Sequence, residues 1–116
     1  MAKTLLLIDD DVHILETAKD ILEAAGYEVL TAESGAEARK QLAAGPCALA
    51  IIDYNLKDIT GADLAVELKQ HRPELTVFLM TGEAHVDLGP AKPAIREILT
   101  KPVNPAELIN LIRKVI

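Results

Sequence analysis

The sequence contains several short apolar runs, and one of them ends directly on a carboxylate. Residues 47–52 are apolar without a break, and Asp53 follows them. Such a run is typical of a strand buried on both faces, as in the middle of a parallel sheet. An ionised aspartate at the end of a central strand is costly unless a neighbour compensates its charge, so Asp53 indicates a functional site at that edge. For this run alone, an aspartate that only caps a turn is the alternative.

Four further strands are predicted from short apolar runs of the same kind. They cover residues 4–8, 27–31, 76–80 and 97–100. Three of these runs stop abruptly at polar residues, namely at Asp9-Asp10-Asp11, Thr81-Gly82 and Lys101-Pro102. Because the carboxyl ends of parallel strands lie at one edge of a sheet, these polar residues are expected to gather near Asp53.

Two helices are predicted in the first half of the chain. After the first strand, apolar residues recur at helical spacing, with Asp11 as the N-cap and Gly26 at the position of a left-handed C-terminal cap. Ser34 and Glu37 have the spacing of a capping box, which predicts a second helix running to about residue 44. The chain therefore alternates between strand and helix from its start.

The second half continues the alternation. A third helix is predicted from residue 62 until just before Pro73. The last helix is predicted from Pro105 nearly to residue 116, because Asn104 suits an N-cap and proline suits the first helical position.

The segment between the fourth and fifth strands, residues 83–96, contains Pro90 and Pro93 and allows at most a short or irregular helix. Together the elements predict an α/β fold with a doubly wound five-stranded parallel sheet of order 2-1-3-4-5. No repeat, linker or low-complexity segment interrupts the 116 residues, so a single domain over residues 1–116 is expected.

Composition excludes several classes of function. The 18 acidic residues outnumber the 12 basic ones, and a net charge of −6 opposes binding to a phosphate backbone, so no direct nucleic-acid partner is expected. Cys47 is the only cysteine, which excludes an internal disulfide and a thiolate metal cluster. No apolar run reaches membrane-spanning length and no signal sequence is recognisable, so no membrane insertion and a cytoplasmic location are expected.

The polar residues at the strand ends suggest phosphoryl chemistry. In order 2-1-3-4-5 the predicted edge gathers Asp9, Asp10, Asp53 and Thr81, with Lys101 from the last strand. Carboxylates about 4 Å apart repel by roughly 4 kcal/mol per pair at an effective dielectric near 20, so the cluster should hold protons or a cation. Oxygen ligands suit Mg²⁺, or Mn²⁺ in its place. With a metal and a lysine nearby, Asp53 becomes a candidate nucleophile toward a phosphoryl group.

These motifs, in this order, resemble the receiver domain of two-component response regulators, including the chemotaxis response regulators, over essentially the whole chain. The matching pieces are Ile8-Asp9-Asp10-Asp11, Asp53 with Gly61, Thr81-Gly82 and Lys101-Pro102. The resemblance implies a flavodoxin-like three-layer sandwich that accepts a phosphoryl group from a histidine kinase or histidine phosphotransfer protein. It also implies a conformational switch, a downstream protein partner, and a monomer or weak dimer. The implied protein is not an enzyme, although it catalyses its own phosphorylation and dephosphorylation.

The resemblance also implies a role for each matched residue. Asp53 resembles the phosphoacceptor, Thr81 the switch hydroxyl and Lys101 the phosphate-binding lysine. Asp10 resembles the direct magnesium ligand, and Asp9 an acidic neighbour that acts largely through water. In the family pattern Asp53 is a metal ligand as well.

Four further positions bear on this comparison. The backbone carbonyl of Asn55 corresponds to another metal ligand, and the side chains of Asn55 and Glu83 are expected to modulate the lifetime of the phosphorylated form. Lys57 stands where the family often has proline. Ile98, three residues before Lys101, replaces an aromatic residue whose rotamer often reports phosphorylation in relatives.

Three other functions remain as alternatives. An aspartate-nucleophile phosphohydrolase would need a second aspartate two residues after the nucleophile, where this chain has Asn55. A flavodoxin-like cofactor domain would need a glycine-rich loop after the first strand and aromatic residues to enclose a flavin. A receiver that has lost phosphorylation and acts only as a docking module would be distinguished by a phosphorylation assay.

Overall fold

The computed structural model describes residues 3–83 and 86–116. Its five strands form one parallel sheet of order β2-β1-β3-β4-β5, which confirms the predicted doubly wound arrangement. The strands are β1 (Thr4–Ile8), β2 (Glu28–Ala32), β3 (Leu49–Asp53), β4 (Thr76–Thr81) and β5 (Glu97–Thr100). The α-helices are α1 (Val12–Ala24), α2 (Gly35–Ala44), α3 (Gly61–His71) and α4 (Pro105–Val115), and a 3₁₀ helix (Gly89–Ala94) precedes β5.

The apolar runs are continuous because the central strands are covered on both faces. On β1, Leu6 and Ile8 pack with the side chains of α2 and α3, whereas Leu5 and Leu7 pack with those of α1 and α4. The residues of β3 alternate in the same way. Each fully buried leucine or isoleucine contributes roughly 1.5–3 kcal/mol, so this two-sided burial is a main source of stability for the sheet.

Side-chain caps begin the helices where the sequence predicted them. Asp11 accepts hydrogen bonds from the backbone N–H groups of residues 13 and 14, and Asn104 accepts them from residues 106 and 107. The hydroxyl of Ser34 accepts from the N–H of Glu37 at 3.1 Å. Glu37 in turn accepts from the N–H of the residue before the cap, rather than from the cap itself as in a standard capping box. Past α1, Gly26 has the expected left-handed backbone, with a φ of +102°.

The segment between β4 and β5 is irregular, as predicted. Its only helical part among the described residues is the six-residue 3₁₀ helix, which includes Pro90 and Pro93 and packs against α3. Residues 84 and 85 lie outside the described part of this segment. On the neighbouring edge strand β5, Ile98 is 48% exposed. The short helix therefore leaves part of β5 uncovered.

Three strands differ slightly from their predicted ranges. β3 begins at Leu49 instead of Cys47, and β4 extends to Thr81 instead of ending at Met80. β2 covers residues 28–32 instead of 27–31, because it pairs with β1 from Thr4 opposite Glu28 to Ile8 opposite Ala32. Within residues 3–83 and 86–116, no helix has the length and apolar character needed to cross a bilayer.

Candidate functional site

Buried polar residues are confined to one edge of the sheet. Among the described residues, the polar or charged side chains that are buried belong to Asp9, Asp53 and Thr81, which are 1%, 5% and 1% exposed. Asp9 follows the last residue of β1, while Asp53 and Thr81 are the last residues of β3 and β4. Because the three strands are parallel neighbours, their carboxyl ends deliver these side chains to one place.

Three carboxylates form a cluster at this edge. Asp9, the half-buried Asp10 and Asp53 each offer one oxygen, and the three oxygens lie within 4.8 Å of one another. Each carboxylate oxygen of Asp9 also accepts a hydrogen bond. Oδ1 accepts from the N–H of Asp11 at 2.9 Å, and Oδ2 accepts from the ammonium of Lys101. The sequence prediction that these aspartates converge is therefore confirmed by their placement.

Lys101 bridges two members of the cluster. Its Nζ lies 3.2 Å from Oδ2 of Asp9 and 3.2 Å from Oδ1 of Asp53. Burial favours the neutral amine, but the hydrogen bond to Asp53 and the negative charge of Asp9 outweigh it and raise the pKa of Lys101. Lys101 is therefore a fixed positive charge beside Asp53.

The cluster keeps an excess of negative charge despite this lysine. Three carboxylates and one ammonium give a formal charge of −3 + 1 = −2. Burial, reinforced by the charge of Asp53, raises the pKa of Asp9, even though its hydrogen bond from Asp11 and the charge of Lys101 act in the opposite direction. Clustered carboxylate oxygens with an uncompensated double negative charge fit Mg²⁺ in both ligand type and charge.

A loop leaves Asp53 and returns immediately beside it. The N–H of Tyr54 donates to the carbonyl of Met80 at 2.8 Å, and the N–H of Gly61 donates to the carbonyl of Tyr54 at 2.7 Å. A Cβ on Gly61 would lie 2.8 Å from the Tyr54 Cα and would clash with the Asp53 carbonyl, so only glycine permits this return. Asn55 lies just inside the closed base of the loop, where it forms an isolated bridge with Thr60.

The two residues predicted to modulate the site are both exposed. Asn55 lies two positions past Asp53, and Glu83 lies two positions past Thr81. The N–H of Glu83 donates to the hydroxyl oxygen of Thr81 at 3.1 Å. Their backbones therefore lie next to the site, and their side chains are open to solvent.

Comparison with known proteins identifies the family. The family model described as the response regulator receiver domain matches residues 5–113. The chain belongs to this family. The receiver is 33% identical to the response regulator receiver protein CpdR of Brucella abortus, over 98% of this chain and 97% of that protein. It is 31% identical to the photosynthetic apparatus regulatory protein RegA of Cereibacter sphaeroides, over 93% of this chain but only 60% of that protein.

Solved receiver structures have the same fold. A CheY-like receiver domain from Methanospirillum hungatei is 31% identical and superposes with a TM-score of 0.92, covering 98% of this chain and 93% of that one. The response regulator TrrA from Thermotoga maritima, solved in complex with Mg²⁺ and beryllofluoride, is 32% identical with a TM-score of 0.90, covering 98% and 99%.

Membership in this family fixes the general function of the chain. It is a receiver domain of two-component signalling, a class of domain that interacts with histidine kinases or phosphotransfer proteins and binds Mg²⁺ at an acidic pocket. Neither the phosphohydrolase nor the flavin-binding alternative is favoured by the matching family or by these neighbours.

An apolar groove of about 580 Å³ runs beside the site of this receiver. Ile14 and Ile21 of α1 line one side, Val103 and Leu108 line the other, and Lys101 lies at its edge. Lys101 therefore faces both the groove and the carboxylate of Asp53.

The sequence did not predict the contact that helix α2 makes with Asp58. Its carboxylate lies in the loop that leaves Asp53 and contacts the N-terminus of α2, 22 and 23 residues earlier in the chain. No local spacing predicts such a contact. The one available signal was Gly35 directly after the N-cap Ser34, because a glycine at the start of a helix permits a close approach by another segment.

Proposed function

We propose that Asp53 is the phosphoacceptor of this receiver and takes its phosphoryl group from a histidine kinase or histidine phosphotransfer protein. The observation that carries this proposal is the 3.2 Å contact between the Asp53 carboxylate and the Lys101 ammonium, at the edge where the buried polar residues converge. A carboxylate nucleophile needs nearby positive charge to approach an anionic phosphoryl group, and Lys101 supplies it.

In the proposed reaction, a carboxylate oxygen of Asp53 forms a bond to phosphorus while the bond from phosphorus to the donor nitrogen breaks. Lys101 balances the charge on one phosphoryl oxygen, and the Thr81 hydroxyl donates a hydrogen bond to another. The receiver thereby catalyses its own phosphorylation, and its own dephosphorylation when water attacks the same phosphorus. We propose no further enzymatic activity.

The same proposal assigns the metal ligands. Asp10, Asp53 and the backbone carbonyl of Asn55 would hold Mg²⁺, with Asp9 acting largely through water. The bound metal supplies positive charge to the phosphoryl oxygens, and Mn²⁺ is proposed as a substitute because it also prefers oxygen ligands.

For the donor protein, we propose that the apolar groove beside Lys101 receives an apolar surface next to the phosphohistidine. Two features support this choice. The groove is continuous with the site through Lys101, and Ile14 at its rim is a large hydrophobic residue that is 39% exposed. A docked donor would therefore present its phosphoryl group directly to Asp53.

The remaining proposals concern the whole protein. We propose that residues 1–116 form one receiver domain that is a monomer or weak dimer, is located in the cytoplasm and signals to a downstream protein partner. With a net charge of −6, direct contact with nucleic acid is not proposed.

Intact-mass spectrometry after incubation with acetyl phosphate tests the phosphoacceptor assignment. The wild type should gain one phosphoryl group when Mg²⁺ or Mn²⁺ is present and none when EDTA is added. An Asp53→Asn variant should gain none, whereas Asp20→Asn, which alters an exposed aspartate on α1, should behave as the wild type. Persistent labelling of Asp53→Asn would show that the assignment is wrong.

A further inference from the structure

The N-terminus of α2 is capped by two different parts of the chain. Its own N-cap residue, Ser34, satisfies only the N–H of Glu37. The N–H groups of Gly35 and Ala36 instead donate to the two carboxylate oxygens of Asp58, at 3.0 and 3.1 Å. Helix N-termini have unpaired N–H groups and a partial positive charge, so a carboxylate that accepts two of these bonds is held firmly.

The close fit at Gly35 shows that this contact is built into the packing. A Cβ added to Gly35 would lie 2.6 Å from Cγ2 of Ile59 and 3.3 Å from a carboxylate oxygen of Asp58. The absence of a side chain therefore lets the loop approach the helix. In agreement with this geometry, the hydrogen bond from the Gly35 backbone lowers the pKa of Asp58.

The loop that carries Asp58 is thereby attached at two places. At its base, the N–H of Gly61 bonds to the carbonyl of Tyr54, directly beside Asp53. At its tip, Asp58 bonds to the start of α2. Asn55, whose backbone carbonyl is a proposed metal ligand, lies between the two attachments.

We propose that Asp58 is a positioning residue for the metal site, which holds the backbone of Asn55 in place by fixing the tip of the loop to α2. The proposal rests on the proposed function, in which the Asn55 carbonyl is a ligand. A ligand on a loop attached only at its base would sample several orientations, and ordering it would cost binding free energy. Groups that orient metal ligands from outside the coordination shell commonly change metal affinity.

The test compares two variants that both remove a cap from α2. Asp58→Ala removes the contact between loop and helix, whereas Ser34→Ala removes the N-cap of the same helix and leaves the loop contact in place. Both variants should lower the Tm of the metal-free protein. Calorimetric titration of the unphosphorylated protein with MgCl₂ should show an affinity about tenfold weaker for Asp58→Ala and unchanged for Ser34→Ala.

A third variant distinguishes the effect of losing the contact between loop and helix from the effect of losing the negative charge of Asp58. Asp58→Asn removes the negative charge but keeps one oxygen that can accept from the helix, so its Mg²⁺ affinity should lie between those of the wild type and Asp58→Ala. Equal weakening in both Asp58 variants would mean that the lost charge, not the lost contact, is responsible, and would overturn the proposal.

The outcomes also separate this proposal from the proposed function. If the wild type binds Mg²⁺ and Asp58→Ala binds it equally well, Asp58 is not a positioning residue, while the phosphoacceptor assignment is unaffected. If the wild type binds no Mg²⁺, both proposals fail. Hydrogen exchange gives an independent readout, because the amides of residues 55–60 should exchange faster in Asp58→Ala than in Ser34→Ala.

Discussion

The N–H of Lys101 donates to the carbonyl of Thr81 at 2.8 Å, one residue beyond the last pair of the β4–β5 ladder. This bond links the backbones of the two residues that we propose to bind the phosphoryl group. Lys101 also contacts Asp53 through its side chain. Because of the backbone bond, a shift of Thr81 toward a phosphoryl group should also displace the end of β5. The proposed phosphoryl-binding residues are therefore linked directly to the edge strand β5.

Replacing Asp9 with asparagine should stabilise the metal-free protein at neutral pH. The pKa of Asp9 is raised above its ordinary value of 3.8, chiefly by burial. A group with a raised pKa contributes stability that is complete below its unfolded pKa and is lost as the pH rises through its folded pKa. The ionised form of Asp9 therefore opposes folding, and Asp9→Asn should raise the free energy of unfolding by on the order of 1 kcal/mol.

Urea unfolding in EDTA at several pH values measures this effect. The advantage of Asp9→Asn over the wild type should shrink as the pH falls toward 3.8, because the wild-type carboxyl then takes up its proton. The amide oxygen of asparagine can still accept the bond from Asp11, so the hydrogen bonding is preserved. An advantage that does not change with pH would contradict this explanation.

The strand ends could be predicted from the sequence because local pattern determines them. Uninterrupted apolar runs must be buried, and the carboxyl ends of parallel strands share an edge, so Asp53 and Thr81 were expected together. The exact range of β2, which is shifted by one residue, could not be predicted from such a local pattern. Its register depends on its pairing with β1, in which Glu28 lies opposite Thr4, and an edge strand with few buried residues carries little pattern of its own.

The contact between Asp58 and α2 was missed for a related reason. Capping signals are local, and α2 already has a suitable N-cap in Ser34, so nothing in the sequence calls for a second acceptor. The partner lies 23 residues away, in a loop whose path is set by the return at Gly61. By contrast, Lys101 and Asp9 are 92 residues apart in the chain, yet their proximity was expected, because strand order alone brings both residues to one edge.

Substitution of Asn55 or Glu83 should lengthen the life of the phosphorylated form. Both side chains are exposed and polar, and each lies two positions past a residue that we propose to bind the phosphoryl group, so we expect them to orient a water molecule toward it. Loss of one such hydrogen bond, worth about 1 kcal/mol, should slow dephosphorylation about fivefold in Asn55→Ala or Glu83→Ala. Mass spectrometry of the decaying phosphoprotein measures the rate. Lys57→Ala, an exposed change in the same loop, should leave the rate unchanged, and unaltered decay in all three variants would rule out the modulating role.

A charge in the apolar groove should slow phosphorylation by a protein donor but not by a small-molecule donor. Ile14→Lys places an ammonium on the rim of the groove, and its desolvation should slow phosphotransfer from a histidine phosphotransfer protein about tenfold, equivalent to about 1.4 kcal/mol. Phosphorylation by acetyl phosphate should not change, because Asp53 and Lys101 are untouched. Ala24→Lys adds the same side chain at an exposed position of α1 that does not line the groove, and should transfer normally. If both lysine variants are equally slow, the groove is not the docking surface.

Phosphorylation should act mainly on the segment of residues 83–96, of which residues 84 and 85 lie outside the described structure. Ile98 has no aromatic ring to turn inward, so the signal must travel another way. The 3₁₀ helix has only Ala91 buried, which makes this segment easy to order or shift.

Hydrogen exchange with and without beryllofluoride, a phosphoryl mimic, tests this expectation. The amides of residues 86–96 should become more protected in the wild type but not in Asp53→Asn. Protection that appears only elsewhere in the protein would falsify the idea.

The strand order has a consequence for the nascent chain. β1 is the first strand to be synthesised, yet it lies in the interior of the sheet between β2 and β3. β2 can pair with one edge of β1 early, but the other edge stays open until residues 49–53 have left the ribosome. During that interval the apolar strand exposes unpaired N–H and C=O groups, the features that promote association between chains. Pairing with β2 alone therefore does not remove the aggregation risk of β1, which lasts until β3 has emerged from the ribosome.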